Sequence, residues 1–290
     1  MLSGGVAGGD GSAGPLETDA ILSAPDSGLT QKADGIGGQS PDAGATTTAD
    51  GPAPPSGIWQ PKPGTSWHWQ LVGSVDQSVN AVMYDVDLFN NTVATIAAIK
   101  AKGHVVVCYF SAGSYEDWRP DAKDFPQSAL GSKMDGWDEL WLDIRSTAVL
   151  DVMKKRLDLA QSKGCDGVEP DNVDGYANST GFALSSADQL AYNKALAAEA
   201  HKRGLSVGLK NNLDQVQQLE PYFDFAVNEE CVQYNECDVL SAFINAGKAV
   251  FHVEYSPATT SGICPKVKAL GFDSQIKKLD LDAWFLACWT

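Results

Sequence analysis

From residue 57 onward, the hydrophobic pattern alternates between two periods. An amphipathic stretch with apolar residues at helical spacing ends at a glycine, a short β-rich run follows, and polar residues come next. Glycine suits the position just after a helix. Three such helices are predicted over residues 92–102, 146–163 and 186–203. The repetition predicts successive βα units with a parallel sheet.

Eight segments have the composition of buried strands, which is the number that closes an α/β barrel. They lie at about residues 67–71, 81–85, 104–110, 166–169, 206–210, 224–228, 249–254 and 272–277. The first two strands are too close for a crossover helix, and a ninth candidate at 139–144 follows no helix. We therefore predict an α/β fold of the (β/α)8 TIM type, irregular in its first half. An open doubly wound sheet is the alternative, although no glycine-rich phosphate turn follows any of the strands.

The first 56 residues differ sharply in composition from the rest. They consist almost entirely of Gly, Ala, Ser, Thr, Pro and Asp and contain no aromatic residue, whereas all eight tryptophans follow. Such a segment cannot bury enough apolar surface to offset its ordering entropy. We predict a disordered linker over residues 1–56 and a catalytic barrel over residues 57–290, close to the length of about 250 residues typical of one barrel.

The net charge and the cysteines restrict the partners and the cellular compartment that we expect. The formal net charge of −16 argues against nucleic acid as a partner. Six cysteines occur without zinc spacing, and Cys231 with Cys237 and Cys264 with Cys288 suit disulfides of an oxidising compartment, although buried free thiols are an alternative. No signal peptide and no membrane span are visible. We expect an extracellular or surface-tethered monomer that uses neither a metal nor another cofactor.

Polar and acidic residues gather where the predicted strands end, which is where barrel enzymes carry their chemistry. Carboxylates crowded into one cleft have divergent pKa values, as glycoside cleavage requires. No zinc-binding histidine pattern and no GxSxG nucleophile motif competes with this interpretation. Aromatic side chains can stack on sugar rings, and Trp118 in the long loop SYEDWRPD is the one that we expect to face substrate.

Several motifs in one order resemble glycoside hydrolase family 114, the endo-α-1,4-polygalactosaminidases. The similarity covers nearly all of residues 57–290 and depends on TSWHWQL, YDVDLF, CYFSAGSYEDWRPD, WLDIR, GCDGVEPDNVDGY, GLKNN, DFAVNEEC, FHVEY and LDLDAW. It implies a (β/α)8 barrel that hydrolyses chains of α-1,4-linked galactosamine without a cofactor. The Asp of the EPDN motif and the Glu of the NE motif, here Asp171 and Glu229, would be the catalytic pair.

The resemblance also implies that six residues shape the subsites: Asp85, Tyr109, Glu169, Asp174, Lys210 and Glu254. The strand-end pattern adds Trp118, Asn172 and Asn211 as substrate-binding candidates. Where the family has NEQC and KND, this chain has NEEC and KNN, so Glu230 adds a carboxylate beside Glu229. Strand alternation predicts that only one of these two faces the barrel mouth. Galactosamine units are cations, so an acidic rim would attract the polymer. A non-catalytic amino-sugar-binding barrel and a hydrolase of another α-linked polysaccharide remain the alternatives.

Overall fold

The computed structural model describes residues 56–289. The predicted linker over residues 1–56 therefore lies outside the described residues, apart from Ser56. In this part the chain forms twelve strands: β1 (Trp67–Gln70), β2 (Met83–Asp87), β3 (Val105–Ser111), β4 (Ser114–Tyr115), β5 (Leu130–Lys133), β6 (Leu140–Leu142), β7 (Gly167–Asp171), β8 (Ser206–Lys210), β9 (Phe225–Glu229), β10 (Val250–Tyr255), β11 (Asp273–Lys277) and β12 (Phe285–Ala287).

Six α-helices cover the sheet: α1 (Val93–Lys100), α2 (Thr147–Lys163), α3 (Ser186–Lys202), α4 (Val216–Leu219), α5 (Ser241–Asn245) and α6 (Thr260–Ala269). The predicted end of the second helix is confirmed, since Gly164 follows α2 with φ +85°, whereas α1 ends at Lys100, two residues before the predicted end. The capping box of α3 is formed by Ser185 and Asp188, whose side chains each accept the backbone N–H of the other. This pair satisfies two backbone donors that a free helix start would leave unpaired.

Eight parallel strands form a curled sheet in the order β1, β2, β3, β7, β8, β9, β10, β11, and β12 pairs antiparallel with β11 at its edge. A hydrogen bond joins the two ends of the parallel sheet: the indole N–H of Trp67 in β1 donates to the carbonyl of Asp273 in β11 at 2.9 Å. All eight predicted strands are present, and no crossover helix separates β1 from β2. The predicted TIM-type barrel with an irregular first half is confirmed.

The ninth predicted strand belongs to a separate small sheet. Between β3 and β7 the chain forms a three-stranded antiparallel sheet in the order β4, β6, β5. We call residues 112–145 the insert. A buried arginine of α2, Arg156, ties the insert to the barrel, since its guanidinium donates to Asp121 at 2.8 Å and to the Ser111 carbonyl at 2.7 Å. Residues 139–144 therefore extend the wall above the barrel and are no part of its sheet.

The barrel has two apolar layers that strand alternation separates. Inward-facing residues such as Trp67, Phe225 and Phe251 fill its interior, and a larger set packs between sheet and helices. Gly208 makes room for this filling, because a Cβ there would lie 2.3 Å from the Phe225 ring. The lower barrel is thus a packed core, and the open space lies above it.

Three disulfides link elements of the barrel. Cys108 of β3 pairs with Cys165 just before β7, Cys231 pairs with Cys237 after β9, and Cys264 of α6 pairs with Cys288 after β12. The two pairs suggested by the sequence are confirmed, and Cys108, which lies in an apolar strand, completes the third. Among the described residues, no helix has the length and apolar character needed to cross a membrane.

The disulfides should differ in their effect on stability. Cys108 and Cys165 are 57 residues apart, whereas Cys231 and Cys237 are 6 apart. Chain entropy alone gives about 4 kcal/mol for the longer loop and about 2 kcal/mol for the shorter one. We expect Cys108→Ala/Cys165→Ala to lower the free energy of unfolding in urea more than Cys231→Ala/Cys237→Ala does. A larger loss from the second pair would contradict this order.

Candidate active site

The chemistry of the barrel lies on its inward-facing strand positions. Successive side chains of a strand point to opposite faces, so each parallel strand sends every second residue into the barrel. Near the carboxyl ends these inward residues change from apolar to polar. They are Trp69 on β1, Asp85 and Asp87 on β2, Tyr109 on β3, Glu169 and Asp171 on β7, Lys210 on β8, Glu229 on β9 and Tyr255 on β10.

A cavity of about 1000 Å³ opens above these strand ends. Most of the predicted site residues line it: Tyr109, Trp118, Asp171, Asn172, Asp174, Lys210, Asn211 and Glu229. Trp118 is 54% exposed at the cavity. The structure therefore brings together eight residues that are spread over four strands and the loops after them.

Lys210 is the centre of the site. Its side chain is 2% exposed, and its ammonium nitrogen lies 2.7 Å from Glu169 Oε1, 3.3 Å from Glu229 Oε2 and 3.5 Å from Asp171 Oδ1. The nitrogen also lies 4.6 Å from the centre of the Trp69 ring. Burial disfavours its charge, but the surrounding carboxylates raise the pKa of Lys210 well above its ordinary value. Lys210 is therefore a permanent buried cation.

Asp171 is held by hydrogen bonds on both oxygens. The Tyr109 hydroxyl donates to Oδ2 at 2.9 Å, and the backbone N–H of Asn172 donates to Oδ1 at 2.7 Å. Asn172 has φ +60°, and its carbonyl leaves no room for a side chain at Gly113, where a Cβ would lie 1.7 Å away. The close contact of Gly113 with Asn172 thus fixes the turn that orients Asp171.

Glu229 is bound in a similar way from the opposite side. Asn211 donates its amide to Oε2 at 3.1 Å, and the Tyr255 hydroxyl donates to Oε1. Asn211 also accepts the backbone N–H of Glu229 at 2.9 Å, which fixes the strand end. Burial opposes ionisation, but the Lys210 charge and these donors hold the pKa of Glu229 below its ordinary value.

Glu169 and Asp85 lie below the cavity and are completely buried. Glu169 accepts hydrogen bonds from Lys210 and, at 3.1 Å, from the Trp69 indole. Burial raises the pKa of Glu169 to about 7, although Lys210 opposes this. Burial and the Glu169 charge raise the pKa of Asp85 well above its ordinary value. Glu169 contacts Lys210 directly, and neither Glu169 nor Asp85 lines the cavity, in contrast to the substrate-binding role expected of both.

Two expectations about glutamates differ from the structure. Glu254 does not line the cavity, because alternation along β10 turns Tyr255 toward the mouth and Glu254 outward. There Glu254 accepts from the Val232 N–H at 2.8 Å and contacts His252. Glu229 and Glu230 both line the cavity, contrary to the alternation argument, because β9 ends at Glu229 and Glu230 has φ +62°.

Several cavity residues were not singled out from the sequence. Tyr255 could have been found, since it follows an outward Glu254 in the same strand. The insert contributes Trp137, Glu139, Glu116 and Arg119, whose chain positions carry no such signal. Arg119 is 8% exposed and pairs with Asp87 at 2.8 Å and Glu116 at 2.6 Å.

The cavity has a strongly acidic lining. Eleven carboxylate residues line it, against two cationic ones, Arg119 and Lys210. Asp174 lies close to the catalytic candidates, and burial and the Asp171 charge raise its pKa to about 6. The site therefore presents more negative charge than its own cations neutralise.

One group of side chains has the spacing of a metal site. Among the described residues, Cys231, Cys237 and His252 place ligand atoms within 4.8 Å of one another. The two cysteines are joined in a disulfide, so their sulfurs are not the thiolates that bind zinc.

Comparison with known proteins agrees with the motifs. The profile of glycoside hydrolase family GH114 matches residues 48–290. A crystal structure of Ega3 from Aspergillus fumigatus in complex with galactosamine is 44% identical, with a TM-score of 0.78 over 81% of this chain and 99% of that one. The glycoside hydrolase domain of PelA from Pseudomonas aeruginosa has the same fold at 13% identity, with a TM-score of 0.61 over 77% of this chain and 97% of that domain. We found no match among curated protein sequences.

The family match over residues 48–290 and the 44% identity to a solved relative are consistent with the barrel fold described above. The chain belongs to glycoside hydrolase family 114.

Proposed function

We propose that this protein is an endo-acting hydrolase of α-1,4-linked polygalactosamine or of galactosamine-containing polysaccharides. The observation that supports this most directly is the excess of eleven carboxylate residues over two cationic ones around a paired Asp171 and Glu229. Galactosamine units without an acetyl group are ammonium ions near neutral pH, so such a cleft attracts them electrostatically. The relative Ega3, which was crystallised with galactosamine, supports the same substrate class.

The open form of the site supports internal cleavage. The cavity extends across the strand ends from Trp118 of the insert to Tyr234 beyond β9, and these two side chains are 54% and 60% exposed. Aromatic rings at both sides of the carboxylate pair can stack on sugar units along a chain. A polymer can therefore lie across the pair with units bound on each side. Three disulfides support secretion into an oxidising compartment.

We assign Asp171 as nucleophile and Glu229 as general acid/base from their places in the EPDN and NE motifs. Asp171 is oriented by contacts with Lys210, Tyr109 and the Asn172 N–H. The first step transfers the Glu229 proton to the leaving oxygen while an Asp171 oxygen bonds to the anomeric carbon. In the second step Glu229 takes a proton from water, which attacks that carbon and releases Asp171.

The positions of the two carboxylates also favour a particular stereochemistry. Both have an oxygen within 3.5 Å of the Lys210 nitrogen. These two oxygens are therefore at most about 7 Å apart, a limit that includes the separation of about 5 to 5.5 Å found in retaining enzymes and only the lower end of the range of about 6.5 to 9.5 Å found in inverting ones. A retaining mechanism through a covalent intermediate on Asp171 is the better match.

Replacement of either catalytic residue should abolish cleavage. We expect Asp171→Asn and Glu229→Gln each to reduce kcat on purified polygalactosamine by about 1000-fold or more, since each step needs both groups. Glu230→Gln is the matched control and should cost less than about 10-fold, because Glu230 contacts neither Lys210 nor Asp171 in the described structure. Near-wild-type cleavage by Asp171→Asn or by Glu229→Gln would refute the assignment. If the wild-type protein binds the oligomer without cleaving it, a non-catalytic sugar-binding barrel is favoured.

The anomeric configuration of the hydrolysis product can be measured directly. Proton NMR during hydrolysis of an α-1,4-linked galactosamine oligomer should show the α-anomer of the new reducing end first, with the β-anomer following by mutarotation. Initial appearance of the β-anomer would show inversion and would remove Asp171 from the role of nucleophile.

The rate of hydrolysis should increase as the pH is lowered from neutral. Lys210 and the donors around Glu229 lower its pKa, so its protonated form is scarce at pH 7. General acid catalysis needs that form, and its fraction grows about tenfold for each pH unit of acidification above the pKa. We expect kcat, measured at saturating oligomer so that weaker binding does not interfere, to increase between pH 8 and pH 5. A kcat that falls steadily over this range would exclude Glu229 as the acid.

A further inference from the structure

Of the three carboxylate residues that the insert contributes to the cavity, Glu116, Asp138 and Glu139, the last is linked through Ser114 to Asn172 beside Asp171. Glu139 immediately precedes β6, which pairs with β4 so that Leu140 lies opposite Tyr115. Two exposed tryptophans, Trp118 and Trp137, line the same wall. Glu139 is therefore held by a small sheet and lies among aromatic rings that can contact a sugar.

The two oxygens of Glu139 differ in their environment. Ser114 donates its hydroxyl to Oε2, and Ser114 in turn contacts Ser111 and Asn172. Within the described part of the chain, Oε1 accepts no hydrogen bond and no lysine or arginine forms an ion pair with Glu139. The neighbouring Arg119 is engaged by Asp87 and Glu116. One oxygen fixes the side chain, and the other is left without a partner.

A half-buried carboxylate without a cation is an unfavourable arrangement in the empty site. Burial raises the pKa of Glu139 to about 7, even though the Ser114 hydrogen bond acts in the opposite direction. A ligand that supplies a positive charge and N–H donors would remove this penalty. An acetamide supplies one neutral N–H and adds a methyl group, so it compensates far less.

We propose that Glu139 binds the ammonium group of a galactosamine unit on the Asp171 side of the cleft, and thereby selects free amino sugars over N-acetylated ones. This assignment rests on the proposed function, because it takes an α-linked galactosamine chain as the ligand. It adds a specificity-determining residue that lies outside the barrel strands. The barrel would then supply the reacting groups, and the insert would distinguish a free amino group from an acetamide on the sugar.

The test uses binding in a background that does not turn over. Isothermal titration calorimetry would compare Asp171→Asn with Asp171→Asn/Glu139→Gln, using an α-1,4-linked galactosamine tetrasaccharide and its fully N-acetylated counterpart. Glutamine keeps an oxygen that accepts from Ser114 and loses only the charge. We expect affinity for the amine to fall about 10-fold or more, as the loss of a charge-assisted hydrogen bond implies, and affinity for the acetylated ligand to change less than about 2-fold.

The matched control is Asp135→Asn in the same background. Asp135 is exposed, belongs to the insert and does not line the cavity. Its substitution therefore removes one negative charge at a distance from the ligand. Equal losses from Asp135→Asn and Glu139→Gln would show a general field effect and overturn the proposal. An unchanged affinity for the amine in Glu139→Gln would overturn it as well. Thermal unfolding of each variant would confirm that the proteins are folded.

The outcomes also separate this proposal from the proposed function. If the wild-type chain binds the amine through Glu139 but does not cleave it, hydrolysis is wrong and the assignment of Glu139 stands. If the wild-type chain cleaves the polymer and Glu139→Gln lowers kcat equally on free and acetylated chains without raising KM, Glu139 positions Asp171 through Ser114 and Asn172, and the proposal is wrong. If the tetrasaccharide does not bind at all, both are wrong.

Discussion

The buried ammonium group of Lys210 is the interaction on which the site depends. Three carboxylates, Glu169, Asp171 and Glu229, lie within 3.5 Å of it at the floor of the cavity. Without this cation, ionised carboxyl groups at such separations would take up protons or move apart. Lys210 thus sets both the charge and the spacing of the two catalytic candidates.

The barrel makes this arrangement possible through its period-2 alternation. Lys210, Asp171 and Glu229 belong to neighbouring parallel strands, and each occupies the last inward-facing position of its strand. Beneath them lie the buried Glu169 and Asp85 and then the apolar barrel core, so Lys210 cannot reach water from below. Trp69 joins the two layers, because its ring lies under the ammonium group while its N–H binds Glu169. A polar site of this kind needs a rigid apolar base, which the aromatic core provides.

The sequence predicted much of this, and what it missed has physical causes. The period of the hydrophobic pattern located all eight barrel strands, because fully buried strands and amphipathic helices have distinct compositions. The three-residue strand β12 is too short for any period to be visible. Alternation would have placed Glu254 outside the cavity had it been applied to β10. It could not place Glu230, whose positive φ lies beyond the end of a strand. Glu139 was out of reach, since its position depends on the path of the insert.

That path is itself determined by contacts that hold the insert against the barrel end. Arg119 bridges Glu116 of the insert and Asp87 of β2, and Arg156 of α2 binds Asp121. Buried arginine pairs of this kind need well-defined geometry to offset desolvation, so they favour one orientation of the insert over its alternatives. The same part of the insert touches the turn of Asn172 through Gly113. The insert wall of the cavity and the turn that orients Asp171 are therefore held by one set of contacts, so a change in the path of the insert would also move Asp171.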